Sequence, residues 1–282
     1  MTPPAPVPAD PPVRLAIVGP HGRMGAALCE LAAGDPRWSV AARVVAPWES
    51  EDLGGGLRGV RLDGVEASSI DVLVDFSHRE AAALHAPWCA RHGVGLVVGT
   101  TGLTDSDQAA IVAAAARTAV FQASNFSLGV ALLVELAARA AAVLGIAADV
   151  EIVETHHGRK RDAPSGTGLT LAHAVAEARA QDLATVRRDG RSGLVGARPP
   201  GEIGLHAVRL ADVVGEHDVH FGWPDERLLL RHEAKDRRVF ATGALRAAAW
   251  LHHQRLAGRR GCFGMRDLLA AATGGTAPTP AT

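Results

Sequence analysis

The chain has 282 residues, is 48% hydrophobic and carries a formal net charge of −1 with a pI of about 6.9. That length suffices for one large or two ordinary domains with a sizeable core. The balanced charge argues against nucleic acid or an anionic membrane as the main partner, and no apolar run reads as reaching membrane-spanning length.

The opening MTPPAPVPADPP has neither the basic nor the apolar region of a signal peptide. Its prolines make residues 1–12 read as an extended, disordered tail. Cys29, Cys89 and Cys262 are far apart and outside any CxxC spacing, so a disulfide framework or a cysteine-rich zinc site is not expected. A soluble cytoplasmic protein is expected.

VRLAIV at Val13–Val18 predicts a strand, followed by a glycine-rich turn and a helix to about Ala33. Val40–Val45 predicts a second strand, and the glycine-rich GGGLRGVRLDG after it shows little periodicity. Strands at Val72–Phe76, Gly95–Val98 and Ala119–Gln122 alternate with helices at Arg79–His92 and Asp105–Arg117. This alternation predicts a doubly wound parallel sheet of Rossmann type. The strands end in DFS, GTTG and ASNF, small and polar residues at the edge where such sheets bind ligands.

Beyond about Ser127 the pattern changes. An alanine-rich helix runs to about Leu144, then a strand DVEIVET and a helix from Gly168 to about Ala180. Three strand-like runs follow in succession, IGLHAVRL, DVVGEHDVHF and RLLLRHEA, predicting an α+β domain with an open mixed or antiparallel sheet. The expected division is a dinucleotide-binding domain at 13–127, a substrate-binding and oligomerisation domain at 128–246, and a segment 247–272 packing back on the first. A helix is expected at Ala241–Leu251, and the tail after Thr273 reads as disordered.

Gly19-Pro20-His21-Gly22-Arg23-Met24-Gly25 lies between the first strand and the first helix. Glycines there let the backbone approach a pyrophosphate at the helix N-terminus, although a structural tight turn could use the same glycines. In RVVAPWES, Val44, Val45 and Ala46 stand where the acid that binds ribose is expected, and Glu49 could be reached only through a longer turn. Arg23 and Arg43 could meet a 2′-phosphate, so NADPH is favoured over NADH; both arginines could equally be solvated. The chain has no tyrosine, which leaves His, Lys, Asp, Glu or Cys as proton donors.

ETHHGRKRDAPSGTG, Glu154–Gly168, concentrates the candidate chemistry. His156 and Lys160 read as loop residues after the strand. A histidine suits proton donation near neutrality, and a lysine offers fixed charge for a carboxylate. Ser165-Gly166-Thr167 before a helix makes an anion cradle from backbone N–H groups and the helix dipole. A polar surface loop with an ordinary helix start remains open on these residues alone. The histidines lack the ligand spacing of a zinc enzyme, so no metal is expected.

Together, VGPHGRMG, VDFSHREA, VVGTTGL, ASNFSLGV, ETHHGRKRDAPSGTG, DVVGEHDVHF, HEAKDRRVFATGALRAAAWL and GMRDLL resemble the 4-hydroxy-tetrahydrodipicolinate (dihydrodipicolinate) reductase family from Val13 to about Leu269. The resemblance implies NAD(P)H-dependent reduction of a cyclic dicarboxylate in lysine and diaminopimelate synthesis, in a homotetramer. It implies His156 as proton donor and Lys160 on the substrate carboxylate. It implies His157 and the backbone at Gly166 and Thr167 as substrate-binding, with Arg237 in support. Gly19–Met24 would hold the pyrophosphate, and Gly99, Thr100, Thr101, Ala123, Ser124, Asn125 and Phe126 would line the ribose and nicotinamide side. Departures from the family pattern are Pro20, His21, Ser124, Gly168 and Leu210-Ala211, and none removes a catalytic group. A nucleotide sensor without catalysis, or a related amino- or keto-acid dehydrogenase, are the competing readings.

Overall fold

A computed structural model describes residues 11–273 and divides into two compact units. The first holds the chain up to Phe126 and again from Phe240; the second holds Ser127–Val239. The second crossing therefore falls at 239/240, earlier than the 246/247 read from sequence. The expected tails at 1–12 and after Thr273 lie almost wholly outside the described residues.

In the first unit the elements are β1 (Val13–Val18), α1 (Arg23–Ala33), β2 (Trp38–Val44), a small ribbon β3 (Asp52–Gly54) and β4 (Leu57–Arg58), β5 (Val72–Asp75), α2 (Arg79–His92), β6 (Gly95–Val98), α3 (Asp105–Ala115) and β7 (Ala119–Gln122). The six-stranded sheet also takes β13 (Gly261–Phe263) in the order β13-β7-β6-β5-β1-β2, with every pair parallel. Strands buried on both faces send alternate side chains to opposite cores. Leu15 and Ile17 join one core while Ala16 and Val18 join the other. The turn from β2 to β5 has no α-helix, consistent with the aperiodic glycine-rich sequence there.

The second unit holds α4 (Leu128–Leu144), β8 (Asp149–His156), α5 (Gly166–Ala178), α6 (Leu183–Val186), β9 (Arg187–Asp189), β10 (Ile203–Arg209), β11 (Gly215–Trp223) and β12 (Glu226–Ala234). Its sheet runs β12-β11-β8-β10-β9 and is mixed: β8, β10 and β9 are parallel, β11 and β12 antiparallel. Leu133, Ala137 and Ala141 of α4 and Leu171 and Val175 of α5 pack on Val150, Ile152, Leu205, Val219 and Phe221 of the sheet. Ser127 caps α4, accepting the Val130 N–H at 3.2 Å.

Leu128–Ala147 is in fact long and apolar enough to cross a membrane, which corrects the reading that no run reaches that length. The segment carries Glu135 and Arg139, and α4 buries Val130, Leu133, Ala137 and Ala141 in its own unit. The α5 start is two residues earlier than expected, and α6, β9 and β13 were not foreseen because each is only three or four residues long.

α7 (Arg238–Leu256) and α8 (Met265–Ala272) complete the chain. α7 puts Ala241, Ala244, Ala248 and Leu251 into the first unit's core. Gly243 sits where a Cβ would meet the Phe126 carbonyl oxygen at 1.7 Å. Ala is the better helix former, but here the neighbour is backbone and cannot yield cheaply. Gly243→Ala is expected to destabilise the protein by roughly 1–3 kcal/mol, read as a lower denaturant midpoint; an unchanged or higher midpoint would overturn this packing argument.

Candidate active site

β1 and β5 leave the sheet in opposite directions of strand order, and their C-terminal ends open the crevice where doubly wound folds bind ligands. The turn after β1 closes with Gly22 N–H donating to the Gly19 oxygen at 2.9 Å. Pro20 occupies its second position, where a proline's fixed φ is suited, and His21 is exposed. Gly19 has φ +67°, and a Cβ at Gly25 would lie 2.1 Å from the Gly19 oxygen. Glycine at both positions lets α1 begin directly against the turn. Gly22 caps α1 without a side chain, so the helix start presents bare backbone, as a pyrophosphate requires.

A cavity of about 590 Å³ adjoins this turn, walled by Gly19, Gly22, Ala46, Glu49, Arg61 and Ser77 among others. These features fit the nucleotide end of a dinucleotide. Arg43 does not line the cavity; it borders a separate groove with Ala32, Asp35 and Trp38, under α1. Arg23 is exposed at the start of α1. The cavity instead has Arg61 and Arg91 in its wall. Glu49 turns its carboxylate back to accept the Ala46 N–H at 2.8 Å.

Asp75 ends β5 fully buried. It accepts from the Ser77 N–H at 2.9 Å and hydroxyl at 2.6 Å, from the Thr100 hydroxyl at 3.2 Å, and pairs with His85 Nδ1 at 2.6 Å. Burial opposes its ionisation, but these partners hold its carboxyl below the usual range. One anion thus ties the ends of β5 and β6 together. Gly99 and Thr101 flank Thr100, while Ala123, Ser124 and Asn125 follow β7 at the same sheet edge. Phe126 departs from expectation: its ring is 1% exposed and packs on Phe76 and Phe121 in the core, so it offers no side chain to a ligand.

In the second unit, β8 alternates so that Val150, Ile152, Glu154 and His156 all face inward. His156 is therefore the last residue of the strand, not a loop residue as expected, and is 9% exposed. Its Nδ1 bonds Glu154 Oε2, and its ring meets His217 edge-on at 5.2 Å. Arg209 grips Glu154 with both Nη atoms, at 3.0 and 3.1 Å. Burial resists the charge on Glu154, yet the hydrogen bonds from His156, Arg209 and the Ser165 N–H hold its carboxyl down at about 2.

The loop after His156 is braced on a neighbouring turn. Leu210 N–H donates to the His156 oxygen at 2.8 Å and Gly158 N–H to the Ala211 oxygen at 3.1 Å. Lys160 pairs with Asp162 at 2.9 Å. His157 is half-buried; burial first, then the positive charges of Arg237, Arg159, His156 and Lys160, push its pKa down. Ser165 is the N-cap of α5, accepting the Gly168 N–H at 3.0 Å, so Gly166 and Thr167 are the first helical residues. A Cβ on Gly166 would meet nothing within 4 Å, which leaves room at this helix start for an anion. Among the described residues, no group of three or more His, Cys, Asp or Glu could hold a metal ion.

Comparison with known proteins bears on what this arrangement is. The dihydrodipicolinate reductase N-terminal model matches residues 13–126 and the C-terminal model residues 129–269. The chain belongs to the dihydrodipicolinate reductase family. The 4-hydroxy-tetrahydrodipicolinate reductase of Roseobacter denitrificans is 43% identical over 268 residues, 92% of this chain and 97% of the relative. That of Thiobacillus denitrificans is 44% identical over 267 residues, 91% and 98%. A dipicolinate-bound dihydrodipicolinate reductase from Paenisporosarcina sp. TG-14 superposes with a TM-score of 0.70 at 26% identity, covering 90% of this chain and 97% of that one. The fold extends to a diaminopimelate dehydrogenase of C. glutamicum, with a TM-score of 0.57 at 14% identity over 90% and 93%. Membership makes the chain an oxidoreductase with a pyridine-nucleotide-binding domain, in a family that serves lysine and diaminopimelate biosynthesis.

For this reductase, sequence reasoning passed over Glu154, Arg209, His217, Asp162 and Asp75. The quoted motifs contained four of them, and the strand period alone puts Glu154 on the face of His156. Burial of His217, then the nearby charge of His156, push its pKa down to about 3. Its folded value thus lies below the ordinary 6.5, so the unfolded chain binds the extra proton and stability falls as pH drops from about 6.5 towards 3. Glu154, held at about 2 against an ordinary 4.5, adds a further loss below 4.5. The urea midpoint is expected to fall between pH 7 and pH 5, with a smaller fall in His217→Asn; equal falls in both proteins would remove His217 from the account.

Proposed function

We propose that the chain reduces 4-hydroxy-tetrahydrodipicolinate to tetrahydrodipicolinate, preferring NADPH to NADH. The observation that carries this reading is the buried Glu154–His156 pair set beside the Ser165-capped start of α5: a proton donor next to an anion cradle. When bound, the nicotinamide nucleotide supplies a hydride to the substrate ring.

The substrate's hydroxyl leaves as water with a hydrogen from the neighbouring ring carbon, and His156 gives the proton that balances the hydride. Lys160, paired with Asp162, neutralises a ring carboxylate. The first N–H groups of α5, at Gly166 and Thr167, receive the carboxylate with the helix dipole behind them. His157, whose pKa burial and its cationic neighbours push down, offers a hydrogen-bonding ring to the substrate. Arg237, whose charge acts on His157, adds positive potential. Fixing the ring and neutralising its charge account for much of the acceleration.

Gly19–Met24 receive the pyrophosphate. Gly99, Thr100, Thr101, Ala123, Ser124 and Asn125 line the ribose and nicotinamide side, with Phe126 acting through its backbone. The NADPH preference rests on Arg91 in the cavity wall and on Glu49, whose carboxylate is already taken by the Ala46 N–H; Arg61, in the same wall, commits its guanidinium to Glu51 and to the Ala46 and Glu49 carbonyls. The chain acts as a cytoplasmic homotetramer assembled through the open face of its five-stranded sheet. That face carries Glu216, Asp218 and Arg231 in ion pairs, with Leu229 exposed beside them.

Following NADPH absorbance with freshly made dihydrodipicolinate synthase product tests the activity: saturable oxidation is expected, and cofactor binding without turnover would overturn it. His156→Gln should lower kcat by about 100-fold or more while cofactor affinity stays within twofold of wild type, about 0.4 kcal/mol. A wild-type rate in that variant removes His156 as the acid. Lys160→Ala should raise the substrate KM and lower turnover, again with cofactor binding retained; full activity would refute its role. Titration of both cofactors decides the preference, and tighter NADH binding would reverse it. Light scattering is expected to give the mass of four chains.

A further inference from the structure

Glu154 is fully buried and makes contacts that a merely structural charge does not need. Arg209 alone could neutralise it, through two parallel bonds. Yet the carboxylate also takes His156 Nδ1 on Oε2 and the Ser165 N–H on Oε1, the latter at 3.1 Å. An ionised carboxylate accepts hydrogen bonds and donates none. Nδ1 of His156 must therefore carry a proton, and any proton that moves does so at Nε2.

The surroundings of Nε2 agree. A Cβ built on Gly215 would lie 3.1 Å from that nitrogen, so the missing side chain at Gly215 is what leaves this edge of the ring open. His217 closes another side with its ring edge-on, buried and kept uncharged. Resting on the reading of His156 as the acid, we infer that Glu154 is a positioning residue: it fixes Nε2 as the nitrogen that delivers the proton, and it locks the ring to the start of α5. The imidazolium that gives up its Nε2 proton is left as the Nδ1–H tautomer, the form the carboxylate already binds. No proton passes to Glu154, and only the bond at Nε2 breaks. Because the two carboxylate oxygens hold the ring and the Ser165 cap separately, the proton donor and the carboxylate cradle keep one spacing.

Nitrogen-resolved NMR of histidine in the wild-type protein, with His156→Gln used to assign the signal, tests the tautomer directly. The neutral His156 ring is expected with its proton on Nδ1; a proton on Nε2 overturns the inference. Glu154→Gln should lower kcat by about tenfold or more with the cofactor dissociation constant unchanged. A folded Glu154→Gln protein with wild-type kcat also overturns it. If Glu154→Gln does not fold, Gly215→Ala decides together with the NMR: it crowds Nε2 without touching Glu154, and should lower kcat while leaving the Nδ1 proton signal in place. Wild-type kcat in Gly215→Ala would refute Nε2 as the reacting nitrogen. Failure of the underlying reading looks different: His156→Gln itself would then retain full activity.

Discussion

A carboxylate removed wholly from water must find a full set of donors or give up its charge. Glu154 meets that demand with a guanidinium, an imidazole and a helix-capping N–H, drawn from β10, β8 and the loop before α5. The geometry of the second unit's site follows from satisfying one buried anion. Removing Arg209 alone would leave that anion uncompensated, a costlier defect than losing an exposed ion pair.

The first unit repeats the same economy at Asp75. Its carboxylate gathers Ser77, Thr100 and His85 from the ends of two strands and from α2, at the C-terminal edge of the sheet. In β5, and on the inward face of β8, the apolar residues come first and the polar ones fall at the C-terminal end. The pleat delivers those last polar side chains inward, where they organise the loops that follow.

Much of this was legible in the sequence, for reasons that differ by element. β1, β5, β6 and β7 are short, mostly apolar runs followed by small or polar residues, and their ends can be read closely. The start of α5 was misjudged by two residues because Gly166 and Gly168 are poor helix formers, and only Ser165 as the cap sets the first turn. Gly158, two residues after His156, favours a loop in the sequence, whereas β10 and β11 pair with β8 as far as His156 and Thr155 and keep His156 in the strand. Arg43 was a reasonable phosphate partner by position in the chain. Strand alternation instead turns it to the α1 side of the sheet, away from the cavity. The strand period places Glu154 on the inward face of β8, but nothing in the linear sequence pairs it with Arg209. Their role appears only when the register of β8 and β10 is known.

The sheet of the first unit is finished by β13, which pairs with β7 although residues 127–239 lie between them in the sequence, and its core is filled by α7. Those contacts join residues far apart in sequence, and loop closure on that scale is slow. During synthesis the second unit emerges complete while the first still lacks an edge strand and a helix. The nucleotide-binding half is then left with an unpaired β7 edge until the last part of the chain arrives, and that interval is when it is most exposed to mispairing with other chains.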